Sequence, residues 1–261
     1  MNVLILDYKQ TEKSAVFARE AAAVLTAAGC RVLTDGAFTG DTDFAVVLGG
    51  DGAMIRAAKS GVPCGVPVIG INLGRVGYLA ELDPSQITRL ADAVRGAGMI
   101  EERMLLSVTA PDGKTYEALN DVVIANERGA RIAALSLACN GIAVGEYLAD
   151  GLIFATPTGS TAYSMSAGGA AIDPALDCIS VTPICSVLHR AKPMVFAPTS
   201  QFVLTNASDA AERVHLTVDG VTVCNLARGE SVMVTKSQNV ARILRLATGG
   251  FYEALRRKAE I

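Results

Sequence analysis

Histidine is nearly missing from this chain, with two among 261 residues. The six cysteines, at 30, 64, 139, 178, 185 and 224, form no C-x-x-C pair and have no histidine at ligand spacing. That pattern argues against a zinc site and reads as reduced thiols in a cytosolic setting. An excess of positive charge is missing too. Against 26 Asp and Glu stand 23 Lys and Arg, a net charge of -3, whereas gripping a nucleic-acid backbone needs a concentrated basic face. An anionic ligand must therefore be held by local backbone amides and a few cations. Long apolar runs are absent at the start. "MNVLILDYKQ" has no basic n-region and its apolar stretch stops at Asp7, too short for a signal peptide or a membrane span. These absences predict a cytoplasmic protein with neither nucleic acid nor membrane as partner. Glycine, finally, is missing where a dinucleotide fold would need it. "LILDYKQTEKSA" contains none, so the G-x-G-x-x-G fingerprint is absent after the first strand and a hydride-transfer enzyme is disfavoured.

What is present suits a substantial core, at 51% hydrophobic and 19% charged. The first third alternates strand and helix: "NVLIL", then the Ala-rich "TEKSAVFAREAAAVLTAAGC", then "FAVVLGG", "AMIRAAKSG" and "PVIGINLG". That rhythm predicts a Rossmann-like parallel sheet with helices on its faces. "PSQITRLADAVRGAG" reads as one more helix, with Pro84 near its start. From about Met99 strands dominate, with a Pro-Asp-Gly-Lys turn at 111–114 and a two-residue hairpin signal at Asn140-Gly141. "GGFYEALRRKAEI" returns to helix. The fold class is an α/β N-terminal domain plus a β-rich C-terminal domain, the last helix packing back on the first domain. The expected boundaries are 1–98 with 249–261, and 99–248.

Two motifs carry chemistry. Gly49-Gly50-Asp51-Gly52 ends a predicted parallel strand and opens a helix, where open α/β sheets place ligands. Successive glycines let backbone N–H groups approach a phosphate, and the helix start favours an anion. Asp51 is either a turn residue and helix cap, or a group that orients a metal or accepts a proton from an attacking hydroxyl. The second motif is "DGLIFATPTGSTAYSMSAGG", Asp150 to Gly169. Its hydroxyls, its exposed amides and the helical segment expected after them suit adenine, ribose and phosphate contacts.

With "GGDG", "INLGRVGYLAE" at 71–81, "LNDVVIANE" at 119–127, "ADGLIFATPTGSTAYSMSAGG" and "VDG" at 218–220 in order, the chain resembles the NAD kinases over nearly its whole length. GGDG alone is shared with lipid kinases of the diacylglycerol and sphingosine type; the TPTGSTAY segment is far more specific. The resemblance implies transfer of the γ-phosphoryl of ATP (in some members polyphosphate) to the 2′-hydroxyl of the adenosine ribose of NAD. It implies a divalent metal, Mg or Mn, held mainly by the ATP phosphates, and a homodimer or homotetramer. It makes Asp51 the catalytic aspartate, with Gly49, Gly50 and Gly52 on the donor phosphates. Asn120 and Asp121 match the pair that takes adenine and ribose. Asp150 matches the acidic residue near the nicotinamide end, and Thr161, Ala162, Tyr163 and Ser166 match nucleotide contacts. Tyr78 stands where relatives carry an aromatic beside the adenine. Arg56 and Arg75 are candidate phosphate cations, with solvated surface charge as the alternative for each. The sequence departs from the family at Leu148, where relatives carry a cation, and at Lys192, where Arg is usual near His189. The other readings are a GGDG-type lipid kinase and a nicotinamide-nucleotide-binding protein without catalysis.

Overall fold

A computed structural model describes residues 1–34, 36–74, 77–126, 132–187, 191–209, 214–247 and 249–259. The chain forms two compact units, residues 1–103 with 240–261 and residues 104–239.

In the first unit β1 (Asn2–Asp7), α1 (Glu12–Ala27), β2 (Arg31–Leu33), β3 (Phe44–Gly49), α2 (Asp51–Gly61) and β4 (Val68–Asn72) alternate. Thr11 starts α1 through a reciprocal cap: its hydroxyl accepts from the Ser14 N–H, and the Ser14 hydroxyl accepts from the Thr11 N–H. The strands are parallel in the order β2-β1-β3-β4. β3 is buried along its whole length, as a parallel strand covered on both faces must be. Val46, Leu48, Ile69 and Ile71 pack with Ala21 and Leu25 of α1. The register sets Asp7 beside Leu48 and Gly49 beside Asn72, so three strands end together at one edge of the sheet.

The helix expected after Pro84 is shorter and tighter than its sequence suggests. Pro84–Arg89 is a 3-10 segment and only α3 (Leu90–Val94) is α-helical. Ile87, Leu90 and Ala93 are the buried positions, a three-residue spacing that a 3-10 turn stacks directly and that an α-turn also keeps on one face.

In the second unit β5 (Met99–Thr109), from Met104 onward, pairs with β6 (Thr115–Ala118). There follow β7 (Asp121–Asn126), β8 (Ala133–Cys139), β9 (Ile142–Ala149) and β10 (Gly151–Ala155). Asn140 and Gly141 join β8 to β9 at φ of +51° and +77°, the left-handed pair that a tight hairpin demands. After β10 the small-residue segment, expected to be helical, makes one 3-10 turn and then the single turn α4 (Tyr163–Ser166). Its hydroxyls explain the brevity, because they bond elsewhere: Ser160 donates to the Pro157 carbonyl and Ser164 pairs with Thr182. The chain continues with β11 (Ile179–Ile184), β12 (Met194–Phe196), β13 (Phe202–Asn206), β14 (Val214–Val218), β15 (Val221–Leu226) and β16 (Ser231–Arg245). Two antiparallel layers result, β12-β11-β10-β7-β14-β15 and β16-β13-β8-β9. Phe154 and Phe202 meet in the core with ring centroids 5.2 Å apart.

The far end of β16 belongs to the first unit, where Ile243 lies parallel beside Val68. Then comes α5 (Gly250–Ala259), and its Phe251 packs 5.9 Å from the Tyr78 ring. The last helix thus packs on the first unit, as expected. Among the described residues no helix is long and apolar enough to cross a membrane.

Candidate active site

In the first unit the site is built on the turn from β3 into α2. None of Gly49, Gly50 and Gly52 has a left-handed φ, so backbone freedom does not explain them. Gly49 needs close approach, since a Cβ there would meet the Cβ of Ala53 at 2.5 Å. Around Gly50 and Gly52 a Cβ would meet nothing within 4 Å. Their lack of a side chain leaves the corner open.

Asp51 is not a cap. The N-cap of α2 is Gly50, with no side-chain cap bond. The Asp51 carboxylate turns instead to the loop after β4, where Oδ2 accepts from the Tyr78 N–H at 2.9 Å and Oδ1 from the Leu79 N–H at 3.1 Å. A Cβ on Gly77 would collide with that carboxylate, so the loop can approach only because residue 77 is glycine. Each carboxylate oxygen has two lone pairs, and these two bonds use one apiece. A rigidly held carboxylate with accepting capacity left over is what a proton acceptor needs.

The cations fall out unequally. Arg56 is exposed on α2, its guanidinium 4.6 Å above the Tyr8 ring. Burial raises the Tyr8 phenol above its ordinary range, while the Arg56 charge opposes that rise. Arg75 lies outside the described residues. Lys9, two residues past β1, was not singled out by its sequence context; its ammonium stands 3.7 Å from where a Gly74 Cβ would be. Its position just beyond a strand end was the available signal. The Tyr78 ring packs against Phe251, with the Lys258 ammonium 4.1 Å from its centroid.

In the second unit Asp219 is the organiser. It sits at φ +46° in the turn between β14 and β15. Its carboxylate accepts from the N–H groups of Leu119 at 2.9 Å, Asn120 at 2.8 Å and Asp121 at 3.2 Å. Thr156 closes the other side: its N–H donates to the Asn120 carbonyl, and its hydroxyl donates to that of Leu119 at 2.6 Å. Gly159 packs so closely that a Cβ would strike the Asn120 carbonyl. Held this way, Asn120 buries its side-chain Oδ1 with no hydrogen-bond partner. A buried acceptor left open is costly unless a ligand supplies a donor. Asp121 is only 6% exposed. Desolvation, and then the charge of Asp219, push its carboxyl up to about 7, so it is shared between acid and carboxylate at neutral pH.

Tyr163 heads α4 and is 46% exposed. Its phenol is raised by partial burial, then by the charges of Cys185, Asp150 and Asp121. Those four residues are therefore gathered at one place, with Asp150 fixed by backbone bonds to Ile184 and Asn126. Thr161 donates to the Thr158 carbonyl at 3.4 Å, and Ala162 and Ser166 flank Tyr163, Ser166 exposed. Leu148 is 43% exposed on β9 and Lys192 is exposed; His189 lies outside the described residues. Asp219 could not be found from spacing, because its partners lie about a hundred residues away. The hint was its place in "VDG".

Residues 5–98 match the ATP-NAD kinase N-terminal domain and residues 119–246 the ATP-NAD kinase C-terminal domain. The NAD kinase of Symbiobacterium thermophilum is 40% identical over 229 residues, spanning 86% of this chain and 81% of that protein. Among solved structures, yeast NADH kinase complexed with NADH superposes with a TM-score of 0.85 at 22% identity, over 100% of this chain and 88% of that one. An NAD kinase from Archaeoglobus fulgidus in complex with ATP gives 0.82 at 24% identity, over the whole of both chains. These two share the fold.

Proposed function

The chain belongs to the ATP-NAD kinase family and is an enzyme that phosphorylates NAD with ATP, and on that premise we propose which of its residues perform the transfer. The acceptor is the 2′-hydroxyl of the adenosine ribose, and Asp51 is the base. One observation carries this assignment: the Asp51 carboxylate leaves its own helix uncapped and is held by two loop amides with lone pairs to spare.

A ribose hydroxyl is a poor nucleophile at neutral pH, and a carboxylate is a weak base for it. In a loose phosphoryl-transfer transition state the proton leaves late, so Asp51 first orients the hydroxyl and then receives its proton. Most of the acceleration comes from positioning and from dipoles on the phosphates. The open corner at Gly49, Gly50 and Gly52 takes the donor phosphates on backbone amides, with Lys9, Arg56 and Arg75 as cations. Asn120 offers its unpaired Oδ1 to the adenine amino group, and Asp121 takes the ribose. Asp150 serves the nicotinamide end, Thr161, Ala162, Tyr163 and Ser166 line the nucleotide, and Tyr78 borders the adenine.

A divalent metal, Mg or Mn, would neutralise charge on the triphosphate. Among the described residues no group of three or more His, Cys, Asp or Glu is gathered to hold one. This donor set fits a metal held by phosphates and water with at most one carboxylate. The protein acts in the cytoplasm as a homodimer or homotetramer. Purified protein given ATP, magnesium and NAD should form NADP, read with an NADP-specific dehydrogenase. No NADP with either ATP or polyphosphate as donor would overturn the proposal.

A further inference from the structure

Behind the loop that holds Asp51 lies a buried arginine that the reaction scheme does not use. Arg245, at the end of β16, has a side chain 4% exposed. Its Nη2 donates to the Tyr78 carbonyl at 3.2 Å and its Nη1 to the Leu79 carbonyl at 2.9 Å. Two carboxylates fix the guanidinium in turn: Glu81 Oε2 accepts from Nη1 at 3.2 Å and Glu101 Oε2 from Nε at 3.1 Å. Glu81 also ties down the chain beyond, its Oε1 accepting from the N–H groups of Leu246 and Ala247, each at 3.0 Å.

The Tyr78 carbonyl and the Leu79 N–H are two ends of one peptide group. That group accepts from Arg245 at one end and donates to Asp51 at the other. A trans peptide is rigid and its N–H and C=O point in opposite directions, so the guanidinium, the peptide and the carboxylate form a continuous chain of hydrogen bonds. Such chains polarise each link, and a charge at the donor end strengthens the bond at the acceptor end. With no side chain at Gly77 and two amides on the carboxylate, the placement of Asp51 depends on where this loop is held.

We propose that Arg245 is a positioning residue for phosphoryl transfer, setting Asp51 through the Tyr78–Leu79 peptide. The proposal rests on the assignment of Asp51 as the base. Lysine at 245 keeps the charge near Glu81 and Glu101 but cannot reach both carbonyls with one planar fork.

The test is a double-mutant cycle of Arg245→Lys and Asp51→Asn, with kcat and both KM values measured on protein shown to be folded by its melting curve. Arg245→Lys alone should lower kcat by up to about 100-fold, the scale of a small misplacement of a reacting group, with the KM for ATP within about two-fold. In the Asp51→Asn background the same substitution should change the residual kcat by less than about three-fold, because residues that act as one unit are not additive. Equal factors in both backgrounds, or an unchanged kcat for Arg245→Lys, would overturn the positioning role and leave Asp51 as base. An Asp51→Asn enzyme within a few-fold of wild type would overturn both. Should Arg245→Lys fail to fold, Glu101→Gln, at a half-exposed position, takes its place in the cycle. It should lower kcat by about five-fold and do so only when Asp51 is present; no effect overturns the proposal.

Discussion

Asp51 in the first unit and Asp219 in the second are the same group solving the same local problem with opposite consequences. Each carboxylate accepts backbone N–H bonds from a loop distant in sequence. Asp219 takes three consecutive amides, Leu119 to Asp121, and so is spent on shaping that segment. Asp51 takes two and reaches them from the first turn of a helix at an open corner. The difference also shows in the neighbours. Asp219 lies close enough to Asp121 to help raise its carboxyl to about 7, whereas Asp51 has a glycine at its closest approach. A carboxylate that accepts three consecutive amides serves as an anchor, and one that accepts two at an open corner keeps more capacity for chemistry.

The strongest way to break this contrast is Asp51→Asn. The shape is nearly kept, so melting temperature and NAD affinity should change little while kcat falls by about a thousand-fold. Asp219→Ala should do the reverse. It strands three amides, and denaturant unfolding should show a loss of about 3 kcal/mol, with turnover per folded molecule falling far less than for Asp51→Asn. A loss under about 1 kcal/mol would mean Asp219 is no anchor.

Asp121 sharpens the comparison through pH. Its carboxyl titrates at about 7 when folded, against 3.8 as its ordinary value. Between those values the folded chain holds a proton that the unfolded chain has released. Stability from this residue is therefore lost as pH rises from about 4 to about 7, by about 1.4 kcal/mol per unit. Asp121→Asn removes that slope, so its melting temperature relative to wild type should climb from pH 5 to pH 7 and then level off. Parallel profiles would show that the carboxyl is not raised. The smallest effect is expected for Asp150→Ala, with the KM for NAD rising about ten-fold and kcat nearly unchanged. An unchanged KM would remove Asp150 from the nucleotide.

Short-range features were legible in the sequence. The β3–α2 corner, the Asn140-Gly141 hairpin and the terminal helix each follow from a few neighbouring residues. The parallel sheet followed from alternation. Two local readings gave way to tertiary demands. The small-residue segment after β10 reads as helical, yet its hydroxyls bond elsewhere and it makes one 3-10 turn and one short α-turn. "PSQITRLADAV" reads as one helix, yet its first six residues form a 3-10 segment and only Leu90–Val94 is α-helical. The site's supports were the least legible part. Asp219 lies about a hundred residues from the amides it holds, and Arg245 about 165 from its carbonyls. No spacing rule connects such positions; only the folded chain does.

One further consequence concerns the order in which the molecule is made. The sheet carrying GGDG gains the strand beside Val68 only from residue 243, and the loop behind Asp51 gains its guanidinium only from residue 245. During synthesis residues 104–239 are made between residues 1–103 of the first unit and its residues 240–261. The second unit is continuous in sequence, residues 104–239, and closes its own contacts over shorter loops, which favours earlier folding. The loop behind Asp51 therefore receives its guanidinium only after residues 104–239 have been made, and a chain interrupted before residue 245 lacks that support.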